Sequence, residues 1–111
     1  MNPNELTDDE MLALVCLSRV LIAADDELSD EELQEFNEIG HDLGLEAFAR
    51  VSKRAEQQPM TDENALQLAA AVTRPDARDL LRTMLIDLAA ADGIDVSEKE
   101  LLSKLEAVWA K

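Results

Sequence analysis

The sequence predicts an all-α fold, a compact bundle of about six helices forming a single domain over residues 1–111. Apolar residues recur at three- and four-residue spacing along most of the chain, whereas no long segment alternates with the two-residue period of a strand. Hydrophobic residues make up 47% of the chain, which is enough for a core. Three prolines and three glycines separate the helical segments and mark their ends.

The first predicted helix spans residues 8–24. Thr7 caps it, and Glu10 completes a capping box three residues later. Residues 11–24 are apolar except for Ser18 and Arg19, and the run is shorter than the roughly 20 residues of a membrane span. We therefore expect a helix that is buried on nearly all sides, with the single cysteine, Cys16, as a core residue.

The second and third helices are predicted from amphipathic spacing. The second begins after Ser29, has Glu32 as its capping-box partner and ends at Gly44. Its apolar face consists of Leu33, Phe36, Ile39 and Leu43. The third, residues 45–57, ends before Pro59, and its apolar face consists of Leu45, Phe48, Val51 and Ala55.

Three further helices complete the predicted bundle. Thr61 caps a short fourth helix, whose apolar positions are Leu66, Leu68, Ala69 and Val72. Pro75 suits the first turn of the fifth, which is apolar on most sides over residues 80–91. Ser97 caps the sixth, which buries Leu101, Leu102, Leu105, Val108 and, at its end, Trp109. We expect the first and fifth helices to form the central pair, because both are apolar nearly all round.

The charge is strongly acidic and uneven. Ten basic and 25 acidic residues give a formal charge of -15, and residues 1–38 hold twelve acids but only one base, Arg19. This distribution repels nucleic acid and anionic membranes, and it favours a protein partner with a basic surface. The start of the chain has no basic segment leading into an apolar one, so we expect no signal peptide, and the lone cysteine indicates a reducing, cytoplasmic location.

Two stretches of the chain resemble each other. Residues 23–33 align with residues 90–101, with one extra residue in the second loop. In each, a buried helix ends at an aspartate, Asp25 or Asp92, and a serine starts the next helix after a short acidic loop. Capping boxes pairing Ser29 with Glu32 and Ser97 with Glu100, and hydrophobic staples pairing Leu28 with Leu33 and Val96 with Leu101, explain much of this similarity.

The aspartates at the helix ends are not explained by capping, because a carboxylate is unfavourable at a helix carboxyl terminus. If a two-fold axis relates the copies, both acidic loops lie at one end of the bundle and attract a cation or a basic partner. Oxygen ligands favour Ca²⁺ or Mg²⁺, although neither loop has EF-hand spacing. The candidate metal ligands are Asp25, Asp26, Glu32, Asp92, Asp95 and Glu100. A solvated acidic face and a protein-docking patch are the alternatives.

At these residues the sequence resembles the tellurite-resistance TerB-like family. The pattern reads Ala91-Asp92-Gly93 with Glu100, and Ala24-Asp25-Asp26 with Glu32, so Asp26 replaces the usual glycine of the first copy. The resemblance implies a compact helical domain with an acidic surface that binds metal or a partner protein. It implies no enzymatic activity, and tellurite or stress resistance is the process with which it is associated.

Other features of the chain are less specific. His41 has no second histidine nearby, so we expect no zinc site, and Asp87 is expected to face solvent or to pair with an arginine. The arginines and lysine at positions 50, 53, 54, 74, 78 and 82 are expected to form internal salt bridges to the acidic segment. A docking strip for an acidic partner or for a second copy of the chain is the alternative.

No catalytic arrangement is visible: the chain has no paired Ser/His/Asp or Cys/His set, no glycine-rich phosphate loop and no HExxH motif. The sequence therefore predicts a non-enzymatic, cytoplasmic module whose acidic loops bind a divalent cation or a basic protein. The alternative is an acidic decoy or adaptor that occupies a basic, nucleic-acid-binding protein without metal.

Overall fold

The structure, a computed structural model, describes residues 1–24, 29–91 and 93–110. These residues form a 3₁₀ turn, Pro3–Glu5, and the six α-helices α1 Asp8–Ala23, α2 Asp30–Leu43, α3 Leu45–Glu56, α4 Asp62–Ala70, α5 Pro75–Ala90 and α6 Val96–Trp109. None of the described residues lies in a strand, so the predicted all-α bundle is confirmed. No helix within the described ranges is long and apolar enough to cross a membrane.

Helix α1 lies at the centre of the bundle. It packs against α3, α4 and α5, and more lightly against α2. Its residues are buried without a break from position 10 to position 18, and burial raises the pKa of the Cys16 thiol. The one buried hydroxyl of this stretch, on Ser18, donates a 2.7 Å hydrogen bond to the carbonyl of Leu14. The predicted buried helix and its Thr7–Glu10 capping box are therefore confirmed.

Helix α5 is not the second all-round apolar helix that the sequence predicts. It buries one face, which includes Leu81 and Leu85, whereas Ile86 is 42% exposed and Asp87 faces solvent. Polar residues at positions 79, 83 and 87 follow a four-residue spacing, and they give α5 one continuous solvent-exposed side. The expectation of a central α1–α5 pair is therefore wrong, and α1 alone occupies the centre.

Two predicted core residues of α2 and α3 are exposed. Leu33 is 44% exposed and Leu45 is 66% exposed, although the other apolar positions of α2 and α3 are buried or pack against the core. Both leucines lie in the first turn of their helix. Spacing predicts which side of a helix faces inward, but it does not predict how far a neighbouring helix extends along that side.

A close approach joins α2 to α3. Gly44, with φ of 98°, turns the chain between the two helices, as the sequence predicts. Gly40 then lies against the Phe48 ring, where a β-carbon would come within 2.7 Å of two ring carbons. Phe48 in turn meets Phe36 edge to face, with ring centroids 5.7 Å apart. Gly40 is thus a packing requirement inside a helix, a position where glycine is otherwise unfavourable.

Acidic residues in the first turn of α1 bind arginines of other helices. Arg50 donates two hydrogen bonds to Asp8, at 2.9 and 3.1 Å, and lowers the pKa of the Asp8 carboxyl. Arg54 binds Asp9 at 3.1 Å. Because both arginines lie on α3, this pair of contacts fixes α3 against the start of α1. The predicted internal salt bridges are confirmed for these residues.

The third acid of that turn, Glu10, is 6% exposed and receives both Nε and Nη2 of Arg74. Arg74 also donates to the carbonyl of Glu5 at 3.3 Å. The hydrogen bonds from Arg74 hold the pKa of the Glu10 carboxyl below its usual range, although burial opposes them. This fork ties the residue that precedes α5 to the start of α1.

Helix α6 is anchored at its far end by Trp109. The indole N–H donates a 2.9 Å hydrogen bond to the carbonyl of Ala69 near the end of α4. The guanidinium carbons of Arg78 and Arg82, both on α5, lie 5.9 and 5.1 Å from the centroid of the indole ring. Arg82 also forms ion pairs with Asp79 and Glu106. Trp109 therefore joins α6 to both α4 and α5.

Substituting Gly40→Ala is expected to destabilise the protein by about 1–3 kcal/mol, because the new methyl group overlaps the Phe48 ring. Urea unfolding followed by circular dichroism measures this change. In a Phe48→Ala background the same substitution should cost little or become favourable, since alanine is the better helix former. Equal or greater stability of the single variant would contradict the close approach.

Substituting Glu10→Gln is expected to lower Tm at pH 7 by roughly 5 °C, because glutamine preserves the capping box but loses the charged fork with Arg74. A carboxyl whose pKa is lowered by folding stabilises above its unfolded pKa, and this contribution is lost as pH falls through the folded pKa. The difference in Tm between the two proteins should therefore shrink on acidification. A constant difference from pH 7 to pH 3 would contradict this prediction.

Candidate functional site

The second repeat has a different register from the predicted one. Helix α6 begins at Val96, and Asp95 is its N-cap: Asp95 Oδ1 accepts a 2.8 Å hydrogen bond from the backbone N–H of Glu98. Glu98 Oε1 accepts a 3.1 Å bond from the backbone N–H of Asp95. The predicted capping box of Ser97 with Glu100 is therefore wrong. Both pairs have the required spacing, and aspartate caps a helix as well as serine does.

The correct register changes the alignment of the repeats. Ser29 caps α2 as predicted, with Oγ accepting a 3.0 Å bond from the backbone N–H of Glu32. Ser29 therefore corresponds to Asp95, and the second loop is one residue shorter than the first rather than one longer. Val96, the predicted staple partner of Leu101, is 71% exposed, so that staple is also wrong. The predicted partner of Leu33, Leu28, lies outside the described residues.

Each repeat buries one carboxylate at the start of its second helix. Glu32 of α2 and Glu98 of α6 are both 0% exposed and occupy equivalent positions after the cap. Backbone N–H groups and the helix dipole favour negative charge at such a position. Sequence reasoning found Glu32 but missed Glu98, although the spacing between Asp95 and Glu98 carried the signal.

The predicted metal ligands are only partly within the described structure. Asp25, Asp26 and Asp92 lie outside the described residues. Asp95 is used as a cap, and Glu32 is buried in the first turn of α2. Among the described residues, no group of three or more His, Cys, Asp or Glu side chains is placed to hold a metal ion. His41 and Glu100 are exposed.

An open groove of about 380 Å³ brings the two repeats together. We call it the repeat groove. Its walls are the end of α1, the start of α4 and the first turns of α6, represented by Ala23, Ala24, Met60, Asp62, Ser97 and Glu100. Ala24, the last described residue before the acidic loop of the first repeat, lines this groove. Glu100, a predicted site residue of the second repeat, lines the same groove.

Among the described residues, three exposed side chains supply the charges of the repeat groove. Asp62 and Glu100 supply carboxylates, and Lys104 supplies an ammonium group one helical turn beyond Glu100. Asp62 was not predicted as a site residue. It belongs to the first turn of α4, where an acid is favourable for the helix itself. Only the packing of α4 against α6 brings it near Glu100.

A second acidic surface lies where α2 meets α5, and we call it the α2–α5 acidic face. It comprises Glu35, Glu38, Asp42 and Asp87. Burial raises the pKa of the Glu35 carboxyl, and the neighbouring Glu38 and Asp87 carboxylates raise it further. This surface therefore contains like charges that repel one another.

The capping register can be tested with alanine substitutions. Asp95→Ala is expected to destabilise the protein by about 1 kcal/mol, because it removes the cap of α6. Ser97→Ala should change stability by less than about 0.5 kcal/mol, since Ser97 is an exposed residue of the first turn. Urea unfolding of both variants measures the difference, and a larger loss for Ser97→Ala would restore the register predicted from sequence.

Comparisons with known proteins yield no relative: no family model matches the chain, and neither the curated proteins nor the solved structures include a match. The resemblance to the TerB-like family accordingly remains a prediction from the motif residues.

Proposed function

We propose that the chain is a non-enzymatic interaction module whose acidic inter-helix loops bind a divalent cation, Ca²⁺ or Mg²⁺, or a basic partner protein. The observation that carries this proposal is the repeat groove, which is lined both by Ala24, the residue before Asp25, and by Glu100 of the second repeat. The TerB-like resemblance associates such a module with stress or tellurite resistance.

The cation version depends on the loop aspartates. Ca²⁺ takes six to eight oxygen ligands, and Mg²⁺ also requires oxygen ligands at close range. Asp62 and Glu100 of the repeat groove supply two carboxylates, which is too few for a protein cage. Asp25, Asp26 and Asp92 would have to complete the coordination sphere in this version.

The α2–α5 acidic face supports the second candidate function, an acidic decoy or adaptor that docks a basic, nucleic-acid-binding protein without metal. Its carboxylates repel one another, so a cationic surface laid against them would relieve that repulsion. The decoy also requires a broad acidic surface along residues 1–38. Asp8, Asp9 and Glu10 contribute less to such a surface, because arginines of this chain already bind them.

Thermal melts of EDTA-stripped protein distinguish the two candidates. Ca²⁺, Mg²⁺ and Zn²⁺ are each added at millimolar concentration and matched ionic strength. A ligand that binds only the native state stabilises it by about 2.7 kcal/mol at a hundredfold excess over Kd, which raises Tm by several degrees. The cation version predicts such a rise for Ca²⁺ or Mg²⁺, and its loss in the double variant Asp25→Asn with Asp92→Asn.

The matched control is Glu38→Gln with Asp87→Asn, which removes two exposed charges from the α2–α5 acidic face and leaves the repeat groove intact. This control should keep the ion-selective rise. An equal small rise with every salt would indicate only that the net charge of -15 is screened. That result would contradict the cation version and favour a basic protein as the partner.

A further inference from the structure

The repeat groove has an apolar floor beneath its charged rim. Val20 of α1 and Leu101 of α6 line it and are 6% and 4% exposed. Met60, which precedes α4, lines it as well and is 56% exposed. A methionine side chain is flexible and polarisable, so it adapts to the shape of a docked group. The groove can therefore cover an aliphatic chain as well as contact a charge.

The rim favours a positive group over a negative one. Asp62 and Glu100 give it two carboxylates against the single ammonium group of Lys104. Elsewhere four of the six arginines are engaged: Arg50, Arg54, Arg74 and Arg82 all form ion pairs with acidic residues. Because acidic residues outnumber basic ones by fifteen, most acids cannot be paired one to one with a base of this chain, and they remain on surfaces such as this groove.

Lys104 gives the groove a property that a simple acidic patch lacks. Its position four residues after Glu100 puts both side chains on one face of α6, and both line the groove. An ammonium group here repels a divalent cation more strongly than a singly charged arginine or lysine side chain, because the repulsion scales with the charge of the incoming group. Lys104 therefore disfavours a divalent ion in this groove more than it disfavours a basic side chain.

We infer that the repeat groove docks a basic peptide segment of a partner protein. The aliphatic part of an arginine or lysine side chain lies along Met60 and Leu101, and its charged end contacts Asp62 and Glu100. This inference rests on the proposed function, and it assigns the groove to a basic protein rather than to a metal ion.

Fluorescence anisotropy with a labelled peptide of alternating leucine and arginine tests the inference, at 0.15 M and 0.3 M NaCl. The double variant Asp62→Asn with Glu100→Gln should bind about five- to tenfold more weakly, since it removes both rim carboxylates. Lys104→Gln should bind about two- to fivefold more tightly, because the repelling ammonium group is gone. A peptide with glutamate in place of arginine should not bind.

Two controls separate the groove from general charge attraction. Glu46→Gln with Asp76→Asn makes the same charge change as the rim variant at exposed sites outside both acidic surfaces, and Lys99→Gln makes the same change as Lys104→Gln on the exposed surface of α6. Both controls should bind within about twofold of the parent protein at 0.3 M salt, where exposed charges are largely screened. Controls that match the groove variants, or a Lys104→Gln protein that binds no more tightly, would overturn the inference.

The side chains substituted in the rim, lysine and control variants are exposed, so these variants should fold, which a melt of each protein verifies. The double variant Asp25→Asn with Asp92→Asn separates this inference from the proposed function. Weaker peptide binding in that variant, with no effect of the rim variant, would overturn the groove while leaving the loops as the binding surface. An effect of the rim variant alone would support the groove and contradict binding through the loops.

Discussion

A helix that is apolar on every side is stable in water only when other helices cover it, and this requirement organises the whole fold. Helix α1 is buried continuously from residue 10 to residue 18. Helices α3, α4 and α5 provide most of its cover, and α2 completes it. The solvent-exposed sides of these covering helices can then carry charge without a desolvation cost. This explains how one small domain combines a hydrophobic core with a charge of -15.

The polar start of α1 organises the bundle as strongly as its apolar body. Three consecutive acids contact arginines of different elements: Asp8 and Asp9 hold α3, and Glu10 holds the residue before α5. The same acids are favourable at a helix amino terminus in their own right. Arg50 and Arg54 of α3 and Arg74 before α5 are thereby engaged at the start of α1, so these arginines do not neutralise the outer acids of α2 and of the repeat groove. This packing therefore separates the carboxylates that bind arginines of the chain from those on its outer surface.

The two repeats combine structural and functional constraints in a few residues. Glu32 and Glu98 are buried at the starts of α2 and α6, and Ser29 and Asp95 cap the same helices. These residues fix where each second helix begins. Ala24 and Glu100, in contrast, lie along the repeat groove, the docking surface that we propose. The register of α6 thus decides that Asp95 caps the helix and that Glu100 lies along the groove.

The sequence by itself determined the helices, because their caps, glycines, prolines and apolar spacing are local properties. All six appear close to the predicted bounds, and Thr7, Ser29 and Thr61 cap the helices assigned to them. The sequence did not decide between Asp95 and Ser97 as the cap of α6, since both satisfy the same local spacing and only the path of the preceding loop selects one.

The tertiary structure decided the features that depend on which helices are neighbours. Leu33 and Leu45 have core-like spacing but no full cover, and Gly40 is required only because the Phe48 ring packs on it. Asp62 joins Glu100 in one groove only because α4 packs against α6. The spacing of apolar residues defines which side of a helix faces inward, but it does not define which helix covers that side. The candidate site was therefore predictable from the repeat as a set of loops, whereas its groove, its apolar floor and its lysine required the assembled bundle.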